Sequence, residues 1–258
     1  MCPNVKSSKV RLDQLLFERG LCESRSKAQA LILAGKVRTG TTILDKPGNR
    51  FPDDTPLILE SPPKYVSRGG EKLEGFFTVY PIQVEGTHIL DLGASTGGFT
   101  DYLLQAGAFT ATCVDSGTGQ LHSKLREDPR VSNYENTLAH RLEPGDLPRA
   151  DYDIVVLDLS FISLKRVLPF GWLCLKEGGY LIALVKPQFE ATKKEANKGG
   201  GVIKDLSIHK RILAEMDEFI HTELECSEII GCIPSPIKGA KGGNQEYLLG
   251  VRKDLGST

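Results

Sequence analysis

The sequence predicts an α/β protein in which a parallel sheet, covered by helices on both faces, follows a small α+β module. Three observations lead there. Apolar runs at 88–92, 109–114, 152–157 and 179–185 alternate with helical stretches at 98–106, 119–127 and 162–175. That alternation is the pattern of a parallel sheet joined by crossover helices. Ahead of it lie two short amphipathic helices and a β-like stretch, and Pro62–Pro63 separates the two regions.

In the first region, RLDQLLFER (11–19) places Leu12, Leu15 and Leu16 on one helical face, and Gly20 ends the helix. Ser24 is the N-cap of a second helix in which Ala28, Leu31 and Ile32 repeat the apolar spacing, with Gly35 as its stop. Residues 36–44 read as β-like, 46–56 as a Pro/Gly/Asp turn region, and 57–59 as a strand. Arg11, Arg25, Lys27, Lys36 and Arg38 stand on the polar face and exit of this module. In the second region a long amphipathic helix over 206–224 precedes two strands near 226–233 and 245–251. The expected boundaries are 1–62 for the small domain, 63–68 for a linker and 69–258 for the larger domain.

Of the 258 residues, 40% are hydrophobic and 25% charged, enough to bury a sizeable core. The net charge of −1 conceals an asymmetry: residues 1–72 hold 13 Lys and Arg against 8 Asp and Glu, the remainder 19 against 25. A basic front piece on an acidic body suits contact with a polyanion. The six cysteines (Cys2, Cys22, Cys113, Cys174, Cys226, Cys232) form no Cys-x-x-Cys pair and no cluster with histidine, so no metal site is expected. The first residues lack the apolar core of a signal peptide, and no apolar run approaches the roughly 20 residues of a membrane span. The expectation is a cytoplasmic protein with free thiols and no membrane contact. Nothing in the sequence demands more than a monomer. The five histidines read as surface or packing residues.

The most informative segment is HILDLGASTGGFTDYLL (88–104), a strand running through Asp91 into Gly93, Ala94, Ser95, Thr96, Gly97 and Gly98, then a helix near Phe99. Such glycines let a backbone turn under a ligand and present N–H groups at a helix start. The dinucleotide fingerprint is broken by Ser95. The spacing resembles the acid-x-Gly-x-x-x-Gly-Gly-aromatic loop of S-adenosylmethionine methyltransferases, whose ligand is cationic and carries no phosphate. Asp91 is placed to face the methionine ammonium. Asp115 closes the next strand, 24 positions later, where a carboxylate accepts both ribose hydroxyls of a nucleoside.

Asp158 ends the strand within YDIVVLDLSF (152–161), and Lys186 ends that of YLIALVKPQFE (180–190). Ligand chemistry in open parallel sheets lies at these strand ends. A lysine closing an apolar strand needs a carboxylate partner, and Asp158 is the expected one. Lys72 (YVSRGGEKLEGFF) and Glu246 (SPIKGAKGGNQEYLLG) alone would pass for surface charges.

Across essentially its whole length the sequence resembles the TlyA family of ribosomal RNA 2′-O-methyltransferases, with a catalytic domain similar to FtsJ-type enzymes and an N-terminal S4-type RNA-binding domain. The resemblance rests on RLDQLLFERGLCESRSKAQALILAGKV, KYVSRGGEKL, DLGASTGGFTD, VDSGTGQL, LDLSFISL, LVKPQFE, KGGGVIKD and SPIKGAKGGNQEYLL, in that order. It implies a Rossmann-like methyltransferase sheet and methylation of a cytidine ribose in ribosomal RNA, with naked RNA or ribosomal subunits as partner. It implies a catalytic tetrad of Lys72, Asp158, Lys186 and Glu246. The cofactor would meet Asp91, the loop Gly93 to Phe99, Asp115 and Asp158, and the RNA would meet Arg11, Arg25, Lys27, Lys36, Arg38 and Arg68. The sequence departs from the family pattern at YENTLAHRL (134–142), where a more basic stretch is expected, and at Thr118, where an aromatic residue is common.

For transfer to a ribose 2′-hydroxyl, Lys186 is assigned as base or as electrostatic clamp for the developing alkoxide. Burial and Lys72 oppose its charge while Asp158 and Glu246 favour it, so both roles stay open. The basic, Gly-rich loop 189–205 is placed to close over substrate. The alternatives are a non-catalytic RNA-binding or ribosome-assembly module, a small-molecule O-methyltransferase, and a membrane-lysing haemolysin.

Overall fold

The computed structural model describes residues 9–60, 63–239 and 243–254. Cys2 and Pro62 lie outside the described residues. The chain divides into two compact units, Met1–Pro63 and Lys64–Thr258.

The first unit contains β1 (Lys9–Arg11), α1 (Leu12–Glu18), α2 (Arg25–Leu33), β2 (Val37–Thr39), β3 (Thr42–Ile43), β4 (Arg50–Pro52) and β5 (Ile58–Leu59). Strand β1 pairs antiparallel with β4, and β2 is the centre of a three-stranded sheet between β3 and β5. Leu12, Leu16, Ala28, Ile32, Val37 and Leu44 form one buried cluster. The Ser24 hydroxyl caps α2 by accepting from the Lys27 N–H at 3.2 Å. Gly35 stops it at φ +68°, a conformation glycine adopts without Cβ strain. Strand β4 falls inside the stretch expected to be turn.

The second unit runs α3 (Arg68–Val79), β6 (His88–Leu92), α4 (Gly98–Gln105), β7 (Thr110–Val114), α5 (Ser123–Arg126), β8 (Val131–Tyr134), β9 (Tyr152–Leu157), α6 (Leu168–Cys174), β10 (Leu175–Val185), α7 (Pro187–Glu190), α8 (Lys193–Lys198), α9 (Leu206–Glu223), β11 (Ser227–Pro234) and β12 (Tyr247–Lys253). Seven strands form one sheet in the order β11-β12-β10-β9-β6-β7-β8, parallel except at β12 and β11. Alternate residues feed opposite faces: Ile154 and Val156 pack under α3 and α4, Val155 and Leu157 under α6 and α9. Burial on both faces is why these strands read as unbroken apolar runs. Ile212, Met216 and Ile220, four apart on α9, make its buried stripe.

Two helices are shorter than expected. The 119–127 stretch yields only the four residues of α5, and 162–175 begins with a 3-10 turn, Leu164–Arg166, before α6. Sequence order reverses between β6 and β9: β7 and β8 lie on one side of β6, β9 and β10 on the other. The carboxyl ends of β6 and β9 therefore diverge into a crevice, the place where open α/β sheets take ligands.

Candidate active site at the β6–β9 crevice

Asp91, on β6, is buried. Its Oδ2 accepts from the Thr100 N–H (3.2 Å) and hydroxyl (2.7 Å), while Oδ1 has no hydrogen-bond partner. Burial pushes its carboxyl up to about 7, and the charges of Asp158 and Asp115 add to the rise, against the pull of the Thr100 bonds. A buried carboxylate oxygen without a donor is costly unless a proton or a ligand supplies one.

Beyond Asp91 the chain turns through Gly93 and Gly97, both at φ +88°, with Ser95 at +48° between them. The sequence suggests that these glycines make room for a ligand; the nearest atoms are the protein's own. A Cβ on Gly93 would lie 2.7 Å from the Asp158 carbonyl oxygen, and one on Gly98 would lie 2.3 Å from the Ser67 hydroxyl. The first glycine lets the ends of β6 and β9 pass, and the second lets the start of α4 meet the start of α3. The Ser95 N–H donates to Asp115 Oδ2 (2.8 Å) and the Gly117 N–H to its Oδ1 (2.7 Å). Each carboxylate oxygen keeps further acceptor capacity.

Two lobes open here, of about 480 and 580 Å³, sharing Gly93, Ser95, Asp158, Ser160 and Phe161. Asp91, Ala94, Thr96, Gly98 and Phe99 line the first, Asp115 the second. The second lobe is otherwise walled largely by Thr137, Leu138, Ala139, Leu159 and Ile162, so the segment 134–142 that departs from the family pattern forms part of this wall. His140, partly exposed, also lines this lobe. Gly97 lies behind the first lobe, against Leu121 and Leu125.

The first lobe also gathers four charged residues from four elements. Lys72 comes from α3 and Glu246 from the residue before β12; their Nζ and Oε2 atoms are 2.6 Å apart, with side chains only 10% and 4% exposed. Lys186 follows β10 and Asp158 follows β9; Nζ and Oδ1 are 2.6 Å apart. Lys186 also donates to the Ser160 hydroxyl (3.0 Å). The contact with Asp158 is an ion pair, and the ammonium keeps donor capacity for a ligand. Asp158 is thus the partner expected for Lys186. Arg68, exposed at the start of α3, lines the rim of the same lobe.

Two aromatic residues that sequence reasoning passed over stand beside them. Phe161 is 84% exposed and adopts φ +66°, a strained choice for a bulky residue. Its ring lies 5.2 Å from that of Phe189, and the Lys186 ammonium is 5.9 Å from the Phe189 centroid. Position after an apolar strand was their only sequence signal. The loop 189–205 is partly built: Thr192 and Glu195 form a capping box on α8, and Arg211 grips Glu195 at 2.8 and 2.9 Å. His209 is buried between the Ile203 carbonyl and the Tyr247 hydroxyl, each at 2.9 Å.

In the first unit four of the five named cations meet carboxylates. Asp13, inaccessible to solvent, accepts from Arg11 (3.0 and 2.9 Å), Arg25 (3.3 Å) and Gln29 (2.8 Å); the Arg11 guanidinium holds its carboxyl well below the usual range. Glu60 pairs with Arg38 at 2.6 Å and Lys36 at 3.6 Å. Lys27 is exposed and has no ion pair among the described residues. Nor, among those residues, is any helix long and apolar enough to cross a membrane.

Residues 65–253 match the FtsJ-like methyltransferase family and residues 10–51 the S4 domain. The 16S/23S rRNA (cytidine-2′-O)-methyltransferase TlyA of Mycobacterium tuberculosis is 41% identical over 95% of this chain and 90% of its own length. Hemolysin A of Brachyspira hyodysenteriae is 39% identical over 93% and 98%. A solved structure from Streptococcus thermophilus, also bearing the hemolysin label, superposes with a TM-score of 0.71 at 39% identity, covering 96% of this chain and 90% of that one.

Proposed function

The chain belongs to the TlyA family of FtsJ-like methyltransferases, and on that footing we propose that its cleft methylates the 2′-hydroxyl of a cytidine ribose in ribosomal RNA. The observation that carries the reading is the convergence of two lysine–carboxylate pairs, Lys72–Glu246 and Lys186–Asp158, on the lobe into which Asp91 faces.

The residues present fit S-adenosylmethionine. The unpartnered Oδ1 of Asp91 suits an ammonium, and three carboxylates, Asp91, Asp115 and Asp158, surround a space for a cationic ligand. Asp115, fixed by two backbone N–H groups, has acceptor capacity for a ribose diol, and the Leu138–Ile162 wall suits a purine face. When bound, this cofactor supplies an electrophilic methyl group on a sulfonium.

Lys186 acts on the attacking oxygen. Its free donor capacity lets the ammonium stabilise a developing alkoxide, and a neutral amine at the same place would take the hydroxyl proton at Nζ. Asp158 and Ser160 hold that nitrogen in place, which turns its charge into preorganised stabilisation. Lys72, steadied by Glu246, adds a second positive charge beside the same oxygen. Phe161 and Phe189 offer the target base a face to stack on, and the N-terminal arginines with Lys27, Lys36 and Arg68 hold phosphates. The small-molecule alternative leaves that basic unit without a use. The haemolysin alternative has no membrane-crossing helix among the described residues to support it.

The test is transfer of labelled methyl to ribosomal subunits and naked ribosomal RNA by wild type and Lys186→Ala. Loss of roughly 100-fold or more in the variant, with cofactor binding intact, is expected for removal of a positioned acid–base or electrostatic group. Turnover retained in Lys186→Ala would overturn the assignment. Cofactor binding without transfer to any RNA, in the wild type, would favour the non-catalytic RNA-binding module.

A further inference from the structure

Glu190 stands outside both lobes of the cleft, yet it joins the two segments that build its wall. The segment after β9 carries Asp158, Ser160 and Phe161; the segment after β10 carries Lys186 and Phe189. They meet in sequence register. Asp158 and Ser160 meet Lys186, Phe161 meets Phe189, and finally Ser163 and Leu164 meet Glu190. In this last contact the Ser163 hydroxyl donates to Glu190 Oε2 at 2.5 Å and the Leu164 N–H donates to Oε1 at 2.7 Å. Both are short hydrogen bonds to a carboxylate, the stronger kind. They also start the 3-10 turn Leu164–Arg166, whose N-cap is Ser163.

Phe161 lies two residues before this clasp, at φ +66° and largely in solvent. A strained conformation of this sort persists only where neighbouring contacts determine it. On one side the chain is fixed by Asp158 and Ser160 against Lys186, and on the other by Glu190.

We propose that Glu190 is a positioning residue for methyl transfer, whose two hydrogen bonds to Ser163 and Leu164 lock the β9 segment onto the β10 segment and so hold Phe161 and the Lys186–Asp158 pair where the RNA nucleotide docks. The inference rests on the methyltransferase reading for its substrate, but the clasp itself is a local geometry that can be measured without turnover. Gln in place of Glu keeps an acceptor for the Leu164 N–H, and its amide can donate to the Ser163 oxygen. Alanine removes both bonds and strands a backbone N–H.

Glu190→Ala and Glu190→Gln, each alone and with Phe161→Ala, are compared in single-turnover transfer to ribosomal RNA, in cofactor affinity and in thermal midpoint. Hydrogen exchange at the Leu164 amide is followed alongside. Glu190→Ala is expected to slow transfer by about tenfold or more, the scale on which small misplacements act, with cofactor affinity within about twofold. Glu190→Gln should restore most of the rate. Adding Phe161→Ala to Glu190→Ala should cost less than Phe161→Ala costs the wild type, because the two act as a unit. Leu164 exchange should quicken in the alanine variant alone. Equal rates in all three Glu190 forms would overturn the proposal, as would full additivity with Phe161→Ala. So would a fall in cofactor affinity and thermal midpoint matching the fall in rate. A wild type that binds cofactor but transfers nothing would defeat the methyltransferase reading instead, and unchanged Leu164 exchange in Glu190→Ala would separately defeat the clasp.

Discussion

The cleft and the first unit use cationic side chains in opposite ways. In the cleft, each lysine has a carboxylate of its own: Lys72 takes Glu246 and Lys186 takes Asp158, and both lysine side chains are only 10–11% exposed. In the first unit two arginines share Asp13, and Lys36 and Arg38 share Glu60, with cationic side chains 38–49% exposed. A private pair around a buried lysine is nearly neutral and fixes one nitrogen at one point, which suits chemistry at one oxygen. A shared carboxylate leaves a surplus positive charge and several free N–H groups facing water, which suits a polyanion. The difference is between holding an atom and holding a charge.

The sharpest way to break that contrast is to remove one acid from each kind of pair. Glu246→Ala leaves Lys72 buried without a counter-charge and should destabilise the protein by about 3 kcal/mol. Glu60→Ala, among half-exposed partners, should cost under about 1 kcal/mol. Denaturant unfolding of the two variants decides it, and equal losses would erase the distinction. Adding Lys72→Met to Glu246→Ala should return much of the lost stability, since no unpaired charge remains, without returning methyl transfer. Recovery of turnover in that double variant would remove Lys72 from the reaction.

Asp91 offers a second, somewhat smaller test, because its burial works against the fold and for the ligand. Its carboxyl is raised from 3.8 to about 7. Between those values the folded protein binds a proton that the unfolded chain has released, so this group makes stability fall as pH rises from about 4 to about 7. Asp91→Asn should therefore raise the thermal midpoint at pH 8. The same change should weaken cofactor binding, because the ammonium loses its counter-charge. In the wild type, cofactor affinity should fall about tenfold for each pH unit below 7, where the carboxylate must shed its proton to bind a cation. Calorimetric titration from pH 5.5 to 8 reads both arms; a flat profile would take Asp91 out of the ammonium site.

The strands of the sheet were legible because burial on both faces leaves continuous apolar runs, as in Ile154 to Leu157. What escaped was structure set by neighbours. Helix α3 opens with Gly69 and Gly70, poor helix formers, yet Gly70 is required: a Cβ there would lie 2.3 Å from the Tyr65 ring. Strand β8 is an edge strand with only Val131 and Tyr134 partly buried, too little for a pattern. In the site, the expectation that Lys186 needs Asp158 followed from the cost of burying a charge. Lys72 and Glu246, 174 residues apart, came together only through family resemblance. Asp13, Glu60 and Glu190 gave no signal, because an acid's partners are chosen in three dimensions.

The smallest expected effects lie in the first unit, where charge is spread over several side chains. Arg11→Ala, Arg25→Ala, Lys27→Ala and Arg38→Ala should each weaken RNA binding by no more than about tenfold and flatten its dependence on salt by less than one counterion apiece. Arg11 and Arg25 should be coupled, because removing either lets Asp13 neutralise the other; Lys27, which shares no acid, should add independently. Filter binding across a salt series distinguishes these patterns. If the Arg11–Arg25 pair proved additive and Lys27 coupled to it, the shared carboxylate would not be what organises this surface. The contrast with the cleft would then reduce to exposure alone.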